Sequence, residues 1–174
     1  MIENPFKKYA PDVFNKIVLI DTVVDLLEKG KKEYNDKIAV KKDDEDITYN
    51  KLYQDVNDVC GVLKNNNIEP FTNVGVISFN NYNFVKASLG TMVYGAVATL
   101  LPVQLDEKTI FGCCMKYQLT CLFYEKAIAE KIEFAKKMSP MVKFIEIDEY
   151  NVEEKEYNYA NKINLFFENN VKEE

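Results

Sequence analysis

Between Lys37 and Ile147 short apolar runs alternate with longer segments whose apolar residues recur every three or four positions. The short runs cover residues 74–79, 96–101, 119–124 and 141–147. An apolar run of strand length with no polar face suits a strand covered on both sides, as inside a parallel sheet. The segments between them have helical period. After Thr48 come Leu52, Val56, Val59, Cys60 and Leu63, with Lys51, Asp55 and Asp58 assigned to the solvent side. After Asn80 and Asn81 comes a segment from Phe84 to Val93 that is apolar nearly all round. Residues 107–116 and 126–137 make two more helices. Strands alternating with helices predict an α/β fold, with a mostly parallel sheet flanked by helices.

The punctuation agrees with this reading. Thr48, Asn80 or Asn81, and Asp106 stand where helix N-caps are needed. Asn65, Asn66 and Asn67 close the first of these helices, since Asn is second to Gly in the left-handed conformation of a C-terminal cap. Gly95 ends the apolar helix, and Pro102 and Pro140 break the chain beside strands. Upstream, Asp21 or Thr22 caps a helix with Val23, Val24, Leu26 and Leu27 on its apolar face, ended or frayed by Gly30 and the lysines after it. Residues 37–40 make a short strand, and Ile47 and Thr48 start its return in a hairpin. Three regions result: a lead-in with one helix over 1–36, the α/β unit over 37–147, and an acidic, Asn-rich tail over 148–174 with one short helix at Ile163–Phe167.

Composition removes several function classes. The 174 residues carry a net charge of −6, and all 22 basic residues are lysine. An acidic chain is poorly suited to neutralising nucleic-acid phosphates, so no nucleic-acid partner is expected. Without arginine, no guanidinium fork is available for a phosphate or carboxylate. With no histidine, Ser-His-Asp and Cys-His catalysis are excluded within this sequence. Cys60, Cys113, Cys114 and Cys121 form no Cys-x-x-Cys pair and read as buried, reduced thiols. No apolar run reaches membrane-spanning length, and the first residues lack a signal core and a Gly at position 2. A cytoplasmic location is expected.

Three local groupings invite a functional reading, and each has a blander one that fits better. The acidic run Asp43, Asp44, Glu45 and Asp46 lacks the alternating ligand spacing of a calcium loop and reads as a solvated turn. Phe111, Tyr117, Phe123 and Tyr124 are candidates for an acyl pocket, but their spacing favours core packing. The vicinal pair Cys113 and Cys114 lies on a helix too apolar to activate a thiol.

The order of these elements resembles the opening of the adenylate-forming acyl-CoA synthetase family. The residues that carry the likeness are Ile47-Thr48-Tyr49 before a long helix, and Asn67-Ile68-Glu69-Pro70-Phe71-Thr72-Asn73-Val74 at the family's Gly-Val-x-Pro-Gly-Asp turn. They continue with Gly75-Val76-Ile77-Ser78-Phe79-Asn80-Asn81-Tyr82-Asn83-Phe84 and Gly95-Ala96-Val97-Ala98-Thr99. The match is nearly gapless over residues 37–137. The departures are specific. Phe71 and Thr72 replace the turn's Gly and Asp, Asn83 replaces an acidic residue, and Tyr117-Gln118-Leu119 stands at the Ser-Gly-Ala turn.

The resemblance implies the first part of the large N-terminal domain of such an enzyme. In that family a carboxylate attacks the α-phosphate of ATP, and coenzyme A then displaces AMP, with Mg²⁺ offsetting the phosphate charge. The Ser/Thr/Gly-rich loop that this chemistry needs is absent from the sequence. No catalytic, cofactor-binding or metal-binding residue is therefore assigned, and ATP, Mg²⁺ and coenzyme A are implied only for a complete family enzyme. The expected role is scaffold in an AMP-forming ligase, with a fatty acid as the default substrate and the remainder of the enzyme as partner. The other reading is a non-catalytic paralogue that binds a homologous ligase chain.

Overall fold

A computed structural model describes residues 20–41 and 45–148. Asp43 and Asp44 of the acidic run lie outside the described residues, as does the whole tail from 149 with its expected helix at Ile163–Phe167.

Helix α1 spans Val23–Tyr34 and is capped by Thr22, whose hydroxyl accepts from the Asp25 N–H. Gly30 does not end it. The helix runs one turn further because Gly30 is buried where α1 meets the Tyr49 ring, and a β-carbon there would stand 2.6 Å from Tyr49 Cδ1. Strands β1 (Ile38–Lys41) and β2 (Asp46–Thr48) form the expected antiparallel hairpin. Thr48 then caps α2 (Tyr49–Asn65) by accepting from the Lys51 N–H. At its far end Asn67 takes φ 55°, the left-handed conformation expected of this Asn run.

The α/β unit follows. Strand β3 (Asn73–Ile77), helix α3 (Tyr82–Val93), strand β4 (Val97–Leu101), helix α4 (Glu107–Lys116) and strand β5 (Leu119–Tyr124) come first. A 3₁₀ turn (Lys126–Ile128), helix α5 (Ala129–Met138) and strand β6 (Lys143–Glu146) complete it. Asn81, not Asn80, caps α3, and Asp106 caps α4. All pairings in this sheet are parallel, in the order β4-β3-β5-β6.

Helices cover both faces, so the strands alternate between two cores. Val74, Val76, Cys121 and Phe123 face α1, α2 and α3, packing with Leu27, Val56, Val59, Cys60 and Ala87. Ile77, Leu122 and Tyr124 face α4 and α5, packing with Ile110, Cys114, Ile132 and Ala135. Burying a side chain of this size stabilises the fold by roughly 1.5–3 kcal/mol. Glycine permits the closest approach, at Gly90 of α3, where an added β-carbon would lie 2.4 Å from Val59 Cβ of α2. The Cys60 thiol donates to the Gly90 carbonyl across the same contact.

Two expectations fail in informative ways. Residues 96–101 read as a buried strand, yet β4 is the sheet's edge, and Val97 and Leu100 are about half exposed. A run of apolar residues marks a strand but does not say which strands lie on both of its sides. Asp55, assigned to solvent, is buried because Tyr82 of α3 reaches over and donates to its carboxylate at 2.7 Å. Lys51 donates to it from the turn before.

Candidate functional site

In an open parallel sheet, ligands bind beyond the carboxyl ends of the strands, where the strand order reverses. Here the chain passes from β3 outward to β4 and then crosses back to β5, so the reversal lies between β3 and β5. The carboxyl ends of those two strands carry Ser78, Phe79 and Asn81 on one side and Glu125 on the other.

These residues are tied together. Glu125 is buried, and its Oε1 accepts from the Ser78 hydroxyl, from the Phe79 N–H at 2.8 Å and from Asn81 Nδ2 at 3.1 Å. Its Oε2 accepts from the same Asn81 amide at 3.1 Å. Asn81 Oδ1 meanwhile accepts from the Phe84 N–H as the α3 cap. One asparagine therefore fixes the start of α3 and latches it to the end of β5. A buried carboxylate is costly unless its lone pairs are filled, and here three donor groups fill them.

A second tie lies alongside. Asp148, just past β6, accepts from the Lys126 N–H at 2.9 Å and from Asn83 Nδ2 at 2.8 Å. This accounts for Asn83 at the position where the resemblance leads one to expect an acid: an amide can donate to Asp148, and a carboxylate would repel it. Lys86, one helical turn further along α3, is half-buried, and burial pulls its pKa down despite the nearby Asp55 and Asp148 carboxylates.

Chemically the arrangement positions rather than reacts. The donors around Glu125 leave it poorly placed as a general base, and its charge makes the reversal point unattractive to phosphate. Three of the four thiols, those of Cys60, Cys114 and Cys121, are buried and held protonated. Burial pushes Cys121 up to about 12 and, with Cys113 adjacent, Cys114 up to about 11, while the Cys60 thiol is driven higher still. These values fit the sequence reading of buried thiols for Cys60, Cys114 and Cys121, whereas Cys113 is partly exposed. The four aromatic candidates for an acyl pocket are not brought together. Phe123 lies in one core and Tyr124 in the other, Phe111 packs edge-on against Phe134 at 5.8 Å, and Tyr117 is exposed rather than core. Among the described residues, no three or more acidic or thiol side chains are grouped so that they could hold a metal ion.

The sequence offered Asn80 or Asn81 as a helix cap and gave no direct sign of the partners Ser78 and Glu125. The available signal was a polar residue directly after each of two buried strands: Ser78 after β3 and Glu125 after β5.

Comparison with solved structures places this fold as that of the N-terminal domain of adenylate-forming ligases. The AMP-binding enzyme family matches residues 27–171, and the chain belongs to that family. A 3-[(3aS,4S,7aS)-7a-methyl-1,5-dioxo-octahydro-1H-inden-4-yl]propanoyl:CoA ligase of Rhodococcus jostii (strain RHA1) is 32% identical over 82 residues, which is 47% of this chain and 16% of that protein. The structure is similar to a benzoate CoA ligase from Burkholderia xenovorans LB400, with TM-score 0.66 and 14% identity over 72% of this chain and 25% of the other. It is also similar to the O-succinylbenzoate coenzyme A synthetase of Bacillus subtilis, with TM-score 0.64 and 17% identity over 74% of this chain and 33% of the other. The chain thus spans a third or less of the length of these proteins. Among the described residues, no helix is long and apolar enough to cross a membrane.

Proposed function

We propose that the chain supplies the first α/β unit of the large domain of a cytoplasmic, AMP-forming acid–coenzyme A ligase, and that its role there is scaffold. The supporting observation is the parallel sheet β4-β3-β5-β6, which lies wholly inside the family match and carries a latched, unreactive reversal point. In this reading ATP, Mg²⁺ and coenzyme A are handled by parts of the enzyme outside the described unit. The unit contributes rigid strand ends for them to be built against, with the remainder of the ligase as its partner. The domain limits 37–147 for the unit and 1–36 and 148–174 for its flanks belong to the same proposal.

The acid is a carboxylic acid that the described residues do not select. A fatty acid is the sequence-based expectation, whereas similar proteins are named for benzoate, O-succinylbenzoate and a ring-bearing propanoyl group. A test panel therefore includes aromatic and alicyclic acids beside fatty acids. The purified 174-residue chain is expected to show no acid-dependent ATP–pyrophosphate exchange with any of them. Robust exchange by the pure chain would sink the scaffold reading.

A further inference from the structure

The parallel sheet has two edges of different chemistry. Strand β6 carries a charge at each end, Lys143 and Glu146, and such charges guard an edge against pairing with another chain. Strand β4 carries none. It lies in the longest uncharged stretch of the chain, residues 87–105 between Lys86 and Asp106. Among the described residues its one strand neighbour is β3, which it follows in unbroken register from Asn73↔Val97 to Ile77↔Leu101. No bulge, proline or charge inside β4 deters a strand from adding to its outer side. Two of its side chains stand open as well, Val97 at 51% exposed and Leu100 at 48%.

We propose that this edge pairs with the same edge of a second copy of the chain, antiparallel about a two-fold axis at Thr99. A contact between identical edges closes only when it is two-fold, which makes the strands antiparallel. The strand's period of two puts Val97, Thr99 and Leu101 on the face of the core beneath α4 and α5, where Leu101 packs, and Ala98 and Leu100 on the α3 face. With Thr99 opposite Thr99, Leu100 lies opposite Ala98 of the second copy and Val97 opposite Leu101. The edge therefore fits itself. Each exposed Leu100 meets a small side chain that leaves it room, each exposed Val97 meets another aliphatic one, and the threonines meet as a favourable cross-strand pair. No like charges are brought together, although the whole chain carries −6. Two four-stranded sheets then continue as one. This contact stands apart from the scaffold role: nucleotide exchange tests that role, and self-association tests this one.

The test is sedimentation equilibrium of the 174-residue chain, with amide hydrogen exchange at each concentration. A short edge makes a weak contact, so a reversible dimer is expected to form between roughly 1 and 100 µM. Exchange in Val97–Leu101 is expected to slow as the dimer forms, while that in Lys143–Glu146 stays constant. Changing Val97 and Leu100 together to Lys is expected to weaken the dimer by about tenfold or more. Met141→Ser, at an exposed turn away from β4, is expected to leave it unchanged. Circular dichroism confirms that both variants are folded, and the exchange pattern of the native chain reads the contact without them. A monomer throughout this range overturns the proposal and leaves the edge to a strand from the remainder of the ligase. A dimer that protects β6 instead of β4, that survives the two lysines, or that Met141→Ser dissociates overturns it as well.

Discussion

The two ends of the parallel sheet are tied by side chains of different chemistry. At the carboxyl end, side chains reach across strands: Glu125 gathers Ser78, Phe79 and Asn81, Asp148 gathers Lys126 and Asn83, and Asp55 holds Tyr82. At the amino end the ties are neutral, with Asn73 Nδ2 donating to the Tyr117 carbonyl at 2.8 Å, the Thr120 hydroxyl to the Thr72 hydroxyl at 2.9 Å and the Phe71 N–H to the Gly95 carbonyl at 2.7 Å, and two residues there carry strain. Phe71 has φ 63° and Gln118 has φ 50°, in the left-handed region that costs a residue with a β-carbon roughly 1–2 kcal/mol. Both stand where the resemblance leads one to expect glycine. The difference is one of charge and strain: side chains cross both ends, but only the carboxyl end centres its ties on carboxylates, while the amino end combines neutral ties with left-handed turns and exposed apolar groups.

The largest expected effect is at the pinned end. Glu125→Ala leaves the Phe79 N–H, the Ser78 hydroxyl and the Asn81 amide without their acceptor in a buried setting. A loss of about 3 kcal/mol is expected, read from the urea midpoint. If the midpoint hardly moves, the latch contributes nothing and the contrast between the ends fails.

At neutral pH a smaller effect lies in the interior between the two ends, and it grows with alkali. Cys114 and Cys121 have folded-state values of about 11 and about 12, against 9.0 when unperturbed, and the Cys60 thiol is raised too. The unfolded thiols therefore ionise first. Their stabilising contribution is complete below pH 9.0 and is lost as pH rises from there towards the folded-state values. Each thiol contributes a slope of up to about 1.4 kcal/mol per pH unit in that window. The double variant Cys60→Ala and Cys121→Ala should be less stable at neutral pH yet lose less on going to high pH. Parallel pH profiles for the two proteins would refute the assignment.

The smallest effect has the opposite sign. Phe71→Gly and Gln118→Gly remove the left-handed strain at the amino end, and each should stabilise by roughly 1 kcal/mol, less the extra freedom that Gly gives the unfolded chain. Thermal melts of the single variants test this. A fall in Tm for both would show that these side chains earn their place through contacts rather than merely enduring strain.

Local signals were legible from residue identities alone. The caps Thr48, Asn81 and Asp106, the left-handed Asn67 and the parallel strands all follow from short-range chemistry and period. The failures share one cause. Asp55, Glu125 and the exposed face of β4 depend on which elements become neighbours, and a polar residue after a strand looks the same whether it meets water or a partner 47 positions away, as Glu125 meets Ser78. Gly30 failed for the same reason, because the Tyr49 ring that requires it belongs to another helix.

The most direct test of the account is amide hydrogen exchange of the native chain and of Glu125→Ala. The account predicts that the Phe79 and Lys126 amides, both donors to carboxylates at the carboxyl end, exchange slowly in the native protein. In the variant Phe79 should lose its protection while the Phe71 amide at the other end keeps its own. Fast exchange at Phe79 in the native chain, or a variant in which both ends loosen equally, would contradict a carboxyl end pinned by its own side chains.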